Sequence, residues 1–144
     1  MTSSPRSLTL SLLPDRYTVL RFMPEAIPPA WAMKGDFFSV TRSKDELSVV
    51  TNIENLPSWE QAQSEWHAFK VHGPLAFTEI GILASLTAPL RDDAVGIFVV
   101  STFDTDYLLV ERTQVDKAIR SLRRAGHNIL NSEFQSEGIK ENTE

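Results

Sequence analysis

The chain has 144 residues, 42% hydrophobic and 23% charged, with a formal net charge of -5 and a pI of about 5.2. These are the values of an ordinary globular protein of one domain or two small units, and the acidic balance argues against nucleic acid as a partner. The absence of cysteine removes disulfides, thiolate nucleophiles and zinc–thiolate sites and suits a reducing, cytoplasmic setting; no apolar run approaches the roughly 18 residues of a membrane span.

Residues 1–7 are Ser-rich, lack an apolar segment of the secretory kind, and read as a flexible leader. Tyr17 to Phe22 is a strand candidate, after which the prolines from Pro24 to Pro29 forbid a regular helix until about Ala30. Phe37 to Thr41 and Glu46 to Thr51 form two β runs joined by Arg42-Ser43-Lys44-Asp45, a hairpin-length link. Ser58 is placed to cap a helix through about His67, and Ala68 to Val71 forms a short strand. Leu75 to Ile80 reads as a further strand, broken by Gly81. Ile82, Leu83, Leu86 and Leu90 give the apolar spacing of a helix, with Pro89 near its end. Two β runs follow, Val95 to Val100 and Tyr107 to Val110. Thr113 is placed to cap a second helix with Val115, Ala118, Ile119 and Leu122 inward, and Gly126 stands where a left-handed residue ends it. His127 to Leu130 is the last strand, and residues 131–144, rich in Glu, Ser and Asn, read as a flexible tail.

Displaced by 60 residues, the chain overlies itself. Phe37 to Thr41 falls on Ile97 to Ser101, and Glu46 to Val50 on Asp106 to Val110; Pro14 meets Pro74, Pro29 meets Pro89, and His67 meets His127. A period this long is too great for a solenoid but fits a duplicated small unit. The expected fold is therefore α+β, a tandem duplication of a ferredoxin-like β-α-β-β-α-β unit with helices on one face of antiparallel sheets. The units are expected at 8–71, with a degenerate first helix, and at 72–130.

Catalytic chemistry finds little support. His67, His72 and His127 have no metal-ligand spacing, and two of them are explained by the duplication. Asp104-x-Asp106 reads as a turn rather than a metal site, Ser101-Thr102 has no adjacent base, and Trp31, Trp59 and Trp66 read as packing residues. Lys117, Arg120, Arg123 and Arg124 form a solvated helix face. No catalytic residue, metal or cofactor is expected. Glu79-Ile80-Gly81-Ile82 is more informative, because a glycine at a strand-to-helix passage lets a ligand approach the backbone near a helix start, which favours a carboxylate. Thr102, Phe103 and Asp106 would lie nearby, with Asp106 able to neutralise an ammonium or guanidinium. Such a pairing of cationic and anionic sites suits an α-amino acid; the plainer alternative is a turn glycine and a strand-edge charge. In the first copy the 60-residue offset puts Val19, Arg21, Arg42 and Ser43 in place of Glu79, Gly81, Thr102 and Phe103, and keeps only Glu46 for Asp106. One site per chain is the expected number.

The stretch Gly73 to Leu90 and the run Val100-Ser101-Thr102-Phe103-Asp104-Thr105-Asp106-Tyr107-Leu108-Leu109-Val110 resemble ACT-domain proteins of the CASTOR type, a family of small two-ACT proteins and of animal cytosolic arginine sensors with four such units. The resemblance covers about residues 8–130. It implies a ligand at an ACT–ACT interface, bound by Ala76, Glu79, Ile80, Gly81, Ile82, Thr102, Phe103 and Asp106, with Gly96 and Ile97 supplied by the opposing unit. That unit would belong to a second molecule, so the resemblance implies a homodimer. Ile80 and Gly96 depart from the residue types of the arginine sensors, so the ligand need not be arginine. The expected function is a non-enzymatic amino-acid-binding regulator. The alternatives are an enzyme using Glu79 or Asp106 as acid or base on a small amine- or acid-bearing metabolite, and a protein–protein adaptor.

Overall fold

The computed structural model describes residues 7–75 and 80–130. In chain order these form β1 (Thr9–Leu12), β2 (Tyr17–Phe22), β3 (Ser39–Arg42), β4 (Leu47–Asn52), β5 (Trp66–Val71), α1 (Ile82–Asp92), β6 (Phe98–Ser101), β7 (Asp106–Glu111), α2 (Val115–Arg124) and β8 (Asn128–Leu130). The α+β class is as expected. The residues group into a strand unit, Asp15–Trp66, and a helical unit made of the described residues up to Pro14 together with those from His67 onward. This grouping departs from the expected halves 8–71 and 72–130: β1 and the part of β5 from His67 onward join the helical unit. Of the expected leader 1–7, residues 1–6 lie outside the described residues, as does the tail 131–144; Ser7 is described and donates to the Gly126 carbonyl at 2.7 Å.

The strand unit is an antiparallel sheet in the order β3-β4-β2, with Tyr17 also paired to Trp66. Leu20, Ala32, Leu47 and Val49 form its core, with Trp31 and Leu56 packed against it. Phe37 meets Tyr17 edge to face at 5.5 Å. The buried Thr51 hydroxyl donates to the Ala32 carbonyl at 2.7 Å and accepts from Asn55 at 3.0 Å. No α-helix forms here. A single 3-10 turn, Ala30–Ala32, stands for the degenerate first helix, and the helix expected from Ser58 to His67 is absent. Its sequence explains the absence: Trp59 and Ala62 are the only apolar residues between Ser58 and Glu65, so there is no face to bury, and packing of such a face supplies most helix stability. Trp59 is accordingly exposed, contrary to its expected packing role.

In the helical unit the strand order is β8-β1-β5-β7-β6. β1 runs antiparallel to β5 and parallel to β8, lying where a ferredoxin-like plan would place the first and last strands side by side. The core brings together Leu10, Leu12, Phe69, Val71, Leu108, Val110 and Ile129 from the strands with Leu86 and Leu90 of α1 and Ala118, Ile119 and Leu122 of α2. Thr113 does not cap α2; a 3-10 turn, Arg112–Gln114, leads into it with Gln114 at the cap position. At its end Gly126 has φ 102°, and the amides of Gly126 and His127 return to the carbonyls of Arg123 and Leu122. Helix α1 ends the same way through the amides of Ala94 and Val95, but there an alanine carries the left-handed conformation, φ 61°.

Pro89 and His127 explain each other. A proline inside α1 brings no N–H, so the carbonyl of Ser85, four residues earlier, lacks its helical donor. The buried His127 ring supplies one, with Nε2 3.1 Å from that oxygen, while Nδ1 accepts the Leu8 amide at 3.1 Å. Since an amide can only donate and a carbonyl only accept, the ring is the Nε2–H tautomer. The histidine joins α1, β8 and the entry to β1.

Backbone pairing corrects the repeat offset. Arg42 pairs with Leu47 across the first hairpin and Ser101 with Asp106 across the second, and the turns close by Ser43 N to Glu46 O and Thr102 N to Thr105 O. Equivalent positions are therefore 59 residues apart, as are the 3-10 turns Ile53–Asn55 and Arg112–Gln114. Because side chains alternate along a strand, a slip of one exchanges the faces. The counterpart of Asp106 is the buried Leu47, not Glu46. For the strands that pair with β4 and β7, namely β2 and β5, the spacing is 49 residues (Tyr17 to Trp66). Residues 72–97 hold an 11-residue helix that residues 23–38 replace with a proline-rich passage.

Candidate functional site

Helix α1 starts without a side-chain cap. Gly81 precedes it at φ 82°, ψ 4°, a conformation open to glycine, and the first helical bond is Ser85 N to Gly81 O at 2.9 Å. The amides of Ile82, Leu83 and Ala84 thus precede the ladder, as in any helix, and carry the positive end of its dipole. Across from this helix start is the β6–β7 turn. Ser101 and Asp106 close the ladder, and the Ser101 hydroxyl donates to the Asp106 carboxylate at 2.5 Å, a charge-assisted bond that fixes the side chain. Thr102 Oγ1 bonds the backbone of Thr105 at both its N–H and C=O, which tightens the turn and presents Phe103 and Asp104 outward.

The helix start and the turn border a half-open cavity of about 390 Å³, lined by Leu75, Gly81, Ile82, Leu83, Ala84 and residues Ser101 to Asp106. That volume lies within the usual range for small-molecule sites. Its walls differ in kind: aliphatic side chains and helix amides on one side, hydroxyls and carboxylates on the other. Among the described residues no group of three or more His, Cys, Asp or Glu could hold a metal ion.

Of the residues expected at the site, Gly81, Ile82, Thr102, Phe103 and Asp106 come together around this cavity. Ala76 and Glu79 lie outside the described residues, as does most of the strand expected at 75–80. Ile80 is 96% exposed and does not line the cavity; Gly96 and Ile97 do not line it either, the Gly96 amide donating to Gln114 at 3.3 Å and Ile97 packing against the core. Sequence reasoning passed over Leu75, Leu83, Ala84, Ser101, Asp104 and Thr105 as lining residues. A signal was present for one of them, since Ser101 faces Asp106 whenever Thr102 to Thr105 forms a four-residue turn.

In the strand unit the corresponding place is filled. Arg42, counterpart of Ser101, donates to the carbonyls of Pro24 and Ala26, the latter at 2.9 Å, and Arg21 reaches the Asp45 carbonyl at 3.0 Å. By the 49-residue spacing Ala26 corresponds to Leu75. Two positions that line the cavity in the helical unit are hydrogen-bonded together in the strand unit.

Comparison with known proteins gives this arrangement a family. Residues 61–124 match the ACT domain, and residues 15–59 match a family described as an N-terminal domain. The crystal structure of protein Atu0741 from Agobacterium tumefaciens is similar at 39% sequence identity, covering 92% of this chain and 99% of that one, with a TM-score of 0.84. A human protein, CASTOR3P, is 32% identical over 89 residues, 51% of this chain and 53% of its own; the chain thus spans about half the length of that curated relative. The aspartate kinase of Clostridium acetobutylicum, an allosteric enzyme, shares the fold at 16% identity and a TM-score of 0.55, over 77% of this chain and 33% of that protein. ACT domains commonly serve as small-molecule regulatory binding domains, and often form oligomers. Among the described residues no helix is long and apolar enough to cross a membrane. With its ACT match running from β5 through α1, β6 and β7 to α2, the chain carries an ACT domain and is similar to the CASTOR-type protein over about half of its length.

Proposed function

We propose that this protein is a cytoplasmic, non-enzymatic amino-acid sensor whose ligand occupies the cavity between the start of α1 and the β6–β7 turn. The observation that carries the reading is the pairing of opposite polarities across one cavity: the uncapped helix start at Gly81 and the Asp106 carboxylate held by Ser101. The ligand carboxylate lies against the helix start, where such an interaction contributes about 0.3–1 kcal/mol, or ~2 when partly buried. Its cationic group pairs with Asp106. Charge-assisted bonds of about 1.5–3 kcal/mol each must number several to reach micromolar affinity, about -8 kcal/mol. The reading also assigns ligand contacts to Ala76, Glu79 and Ile80, as the resemblance implies, and to Gly96 and Ile97 of a second copy in a homodimer. Ligand binding then favours one arrangement of the dimer and signals to a protein partner through that difference in affinity.

The test is the melting temperature of purified protein against the twenty standard amino acids and related amines at millimolar concentration. A saturable rise with an α-amino acid supports the reading. No rise with any of them, by a folded protein, contradicts it.

A further inference from the structure

We propose that Gly73 and Thr105 are positioning residues that fasten the cavity turn to the end of β5 and so set where the turn stands. Three observations converge. The buried Thr105 hydroxyl donates to the Val71 carbonyl at 2.6 Å, tying the turn to the last residue of β5. The Leu75 amide donates to the Asp104 carbonyl at 2.8 Å, a second tie four residues further on. Between them Gly73 lies so close that a Cβ there would stand 2.9 Å from the Asp104 oxygen, 3.0 Å from the Leu75 nitrogen and 3.3 Å from Thr105 Cβ. The first two obstacles are backbone atoms, so neither can swing aside as a flexible side chain would.

The strand unit makes the same link by other means. There Arg42, at the end of β3, holds the passage after β2 through the carbonyls of Pro24 and Ala26, and Arg21 of β2 ties that strand to the hairpin turn through the Asp45 carbonyl. Two hairpins of one repeat, with unrelated side chains, each hold the passage that follows the neighbouring strand. In the helical unit the link leaves the cavity open, because it uses backbone and a short hydroxyl instead of an arginine. Gly73 and Thr105 thereby set where Thr102, Phe103 and Asp106 stand relative to α1. The functional weight of that placement rests on the reading of the cavity as the ligand site; the placement itself does not.

Amide hydrogen exchange and amide chemical shifts of the ligand-free protein test it. Thr105→Val keeps the shape and removes the donor, and is expected to speed exchange of the Leu75 and Thr102 amides by about tenfold, the effect of one net hydrogen bond. Thr105→Ser restores wild-type protection. Gly73→Ala moves the amide shifts of Thr102 to Asp106, whereas Gly96→Ala, which has nothing within 4 Å of its Cβ, leaves them in place. Unchanged exchange in Thr105→Val, or equal shifts in Gly73→Ala and Gly96→Ala, overturns the proposal. A parallel melting-temperature titration with the twenty standard amino acids separates the two claims: if none of them raises the wild-type value while Thr105→Val still loses protection, the positioning stands and the amino-acid reading of the cavity fails.

Discussion

Pro89 and His127 form a coupled pair whose energetics follow from their geometry. Replacing His127 by Leu leaves the Ser85 carbonyl without its donor and the Leu8 amide without its acceptor. A buried group left unpaired costs about 1–3 kcal/mol; Leu8 is buried and Ser85 half-buried, so the sum falls at about 2–4 kcal/mol. Pro89→Ala returns an N–H to the position four residues after Ser85, giving that carbonyl a helical donor. In the Pro89→Ala background the histidine is therefore needed only for Leu8, and His127→Leu should cost about 1–2 kcal/mol less than in wild type. Urea unfolding of the wild type, both single variants and the double variant completes the cycle. Additivity within about 0.5 kcal/mol would refute the argument that the histidine is there to serve the carbonyl orphaned by the proline.

Three further outcomes follow from the strands and turns. Thr18 and Thr51 are cross-strand neighbours and both buried, yet the Thr18 hydroxyl has no hydrogen-bond partner among the described residues; Thr18→Val should stabilise by up to about 1 kcal/mol and Thr51→Val should destabilise by about 1–3 kcal/mol, measured by urea midpoints. Ala94 and Gly126 occupy the same left-handed position after α1 and α2, so Ala94→Gly should raise stability by about 0.5–1 kcal/mol and Gly126→Ala lower it by about 1 kcal/mol; like signs for the two would refute the shared geometry. Arg42→Ala removes the bonds to the Pro24 and Ala26 carbonyls, and limited proteolysis should cleave residues 23–38 faster than in wild type while the global melting temperature falls by only a few degrees.

Much of the helical unit was legible because its signals are local. Ile82, Leu83, Leu86 and Leu90 mark α1 at helical spacing, Gly126 marks the end of α2, and the β6–β7 hairpin is bounded by its own turn residues. What failed was what depends on pairing at a distance. Strand β1 was passed over although Leu8, Leu10 and Leu12 alternate with Ser7, Thr9 and Ser11 in the period of a half-buried strand; its place between β8 and β5 has no local signature. The repeat offset of 60 was off by one at the hairpins because Val, Ser and Thr recur on both faces, and only the pairing of Arg42 with Leu47 and Ser101 with Asp106 separates the registers. The helix from Ser58 failed for a different reason: capping residues cannot make a helix where no apolar face exists. At the site, Gly81, Thr102 and Asp106 line one cavity, while Ser101 and Thr105 were missed because the first bonds Asp106 only once the hairpin closes and the second bonds Val71 only once the hairpin lies beside β5.

The central claim is that this cavity binds an amino acid through Asp106 and the start of α1. Isothermal titration of the amino acid that most raises the wild-type melting temperature tests it directly, alongside Asp106→Asn and Gly81→Arg. The amide that Asp106→Asn introduces can still accept from Ser101, so the first variant removes charge with little change of shape; the second fills the helix start. One ligand bound per chain by wild type and none by either variant, with both variants folded, is the predicted result. Undiminished binding in both would place the ligand elsewhere and contradict the account.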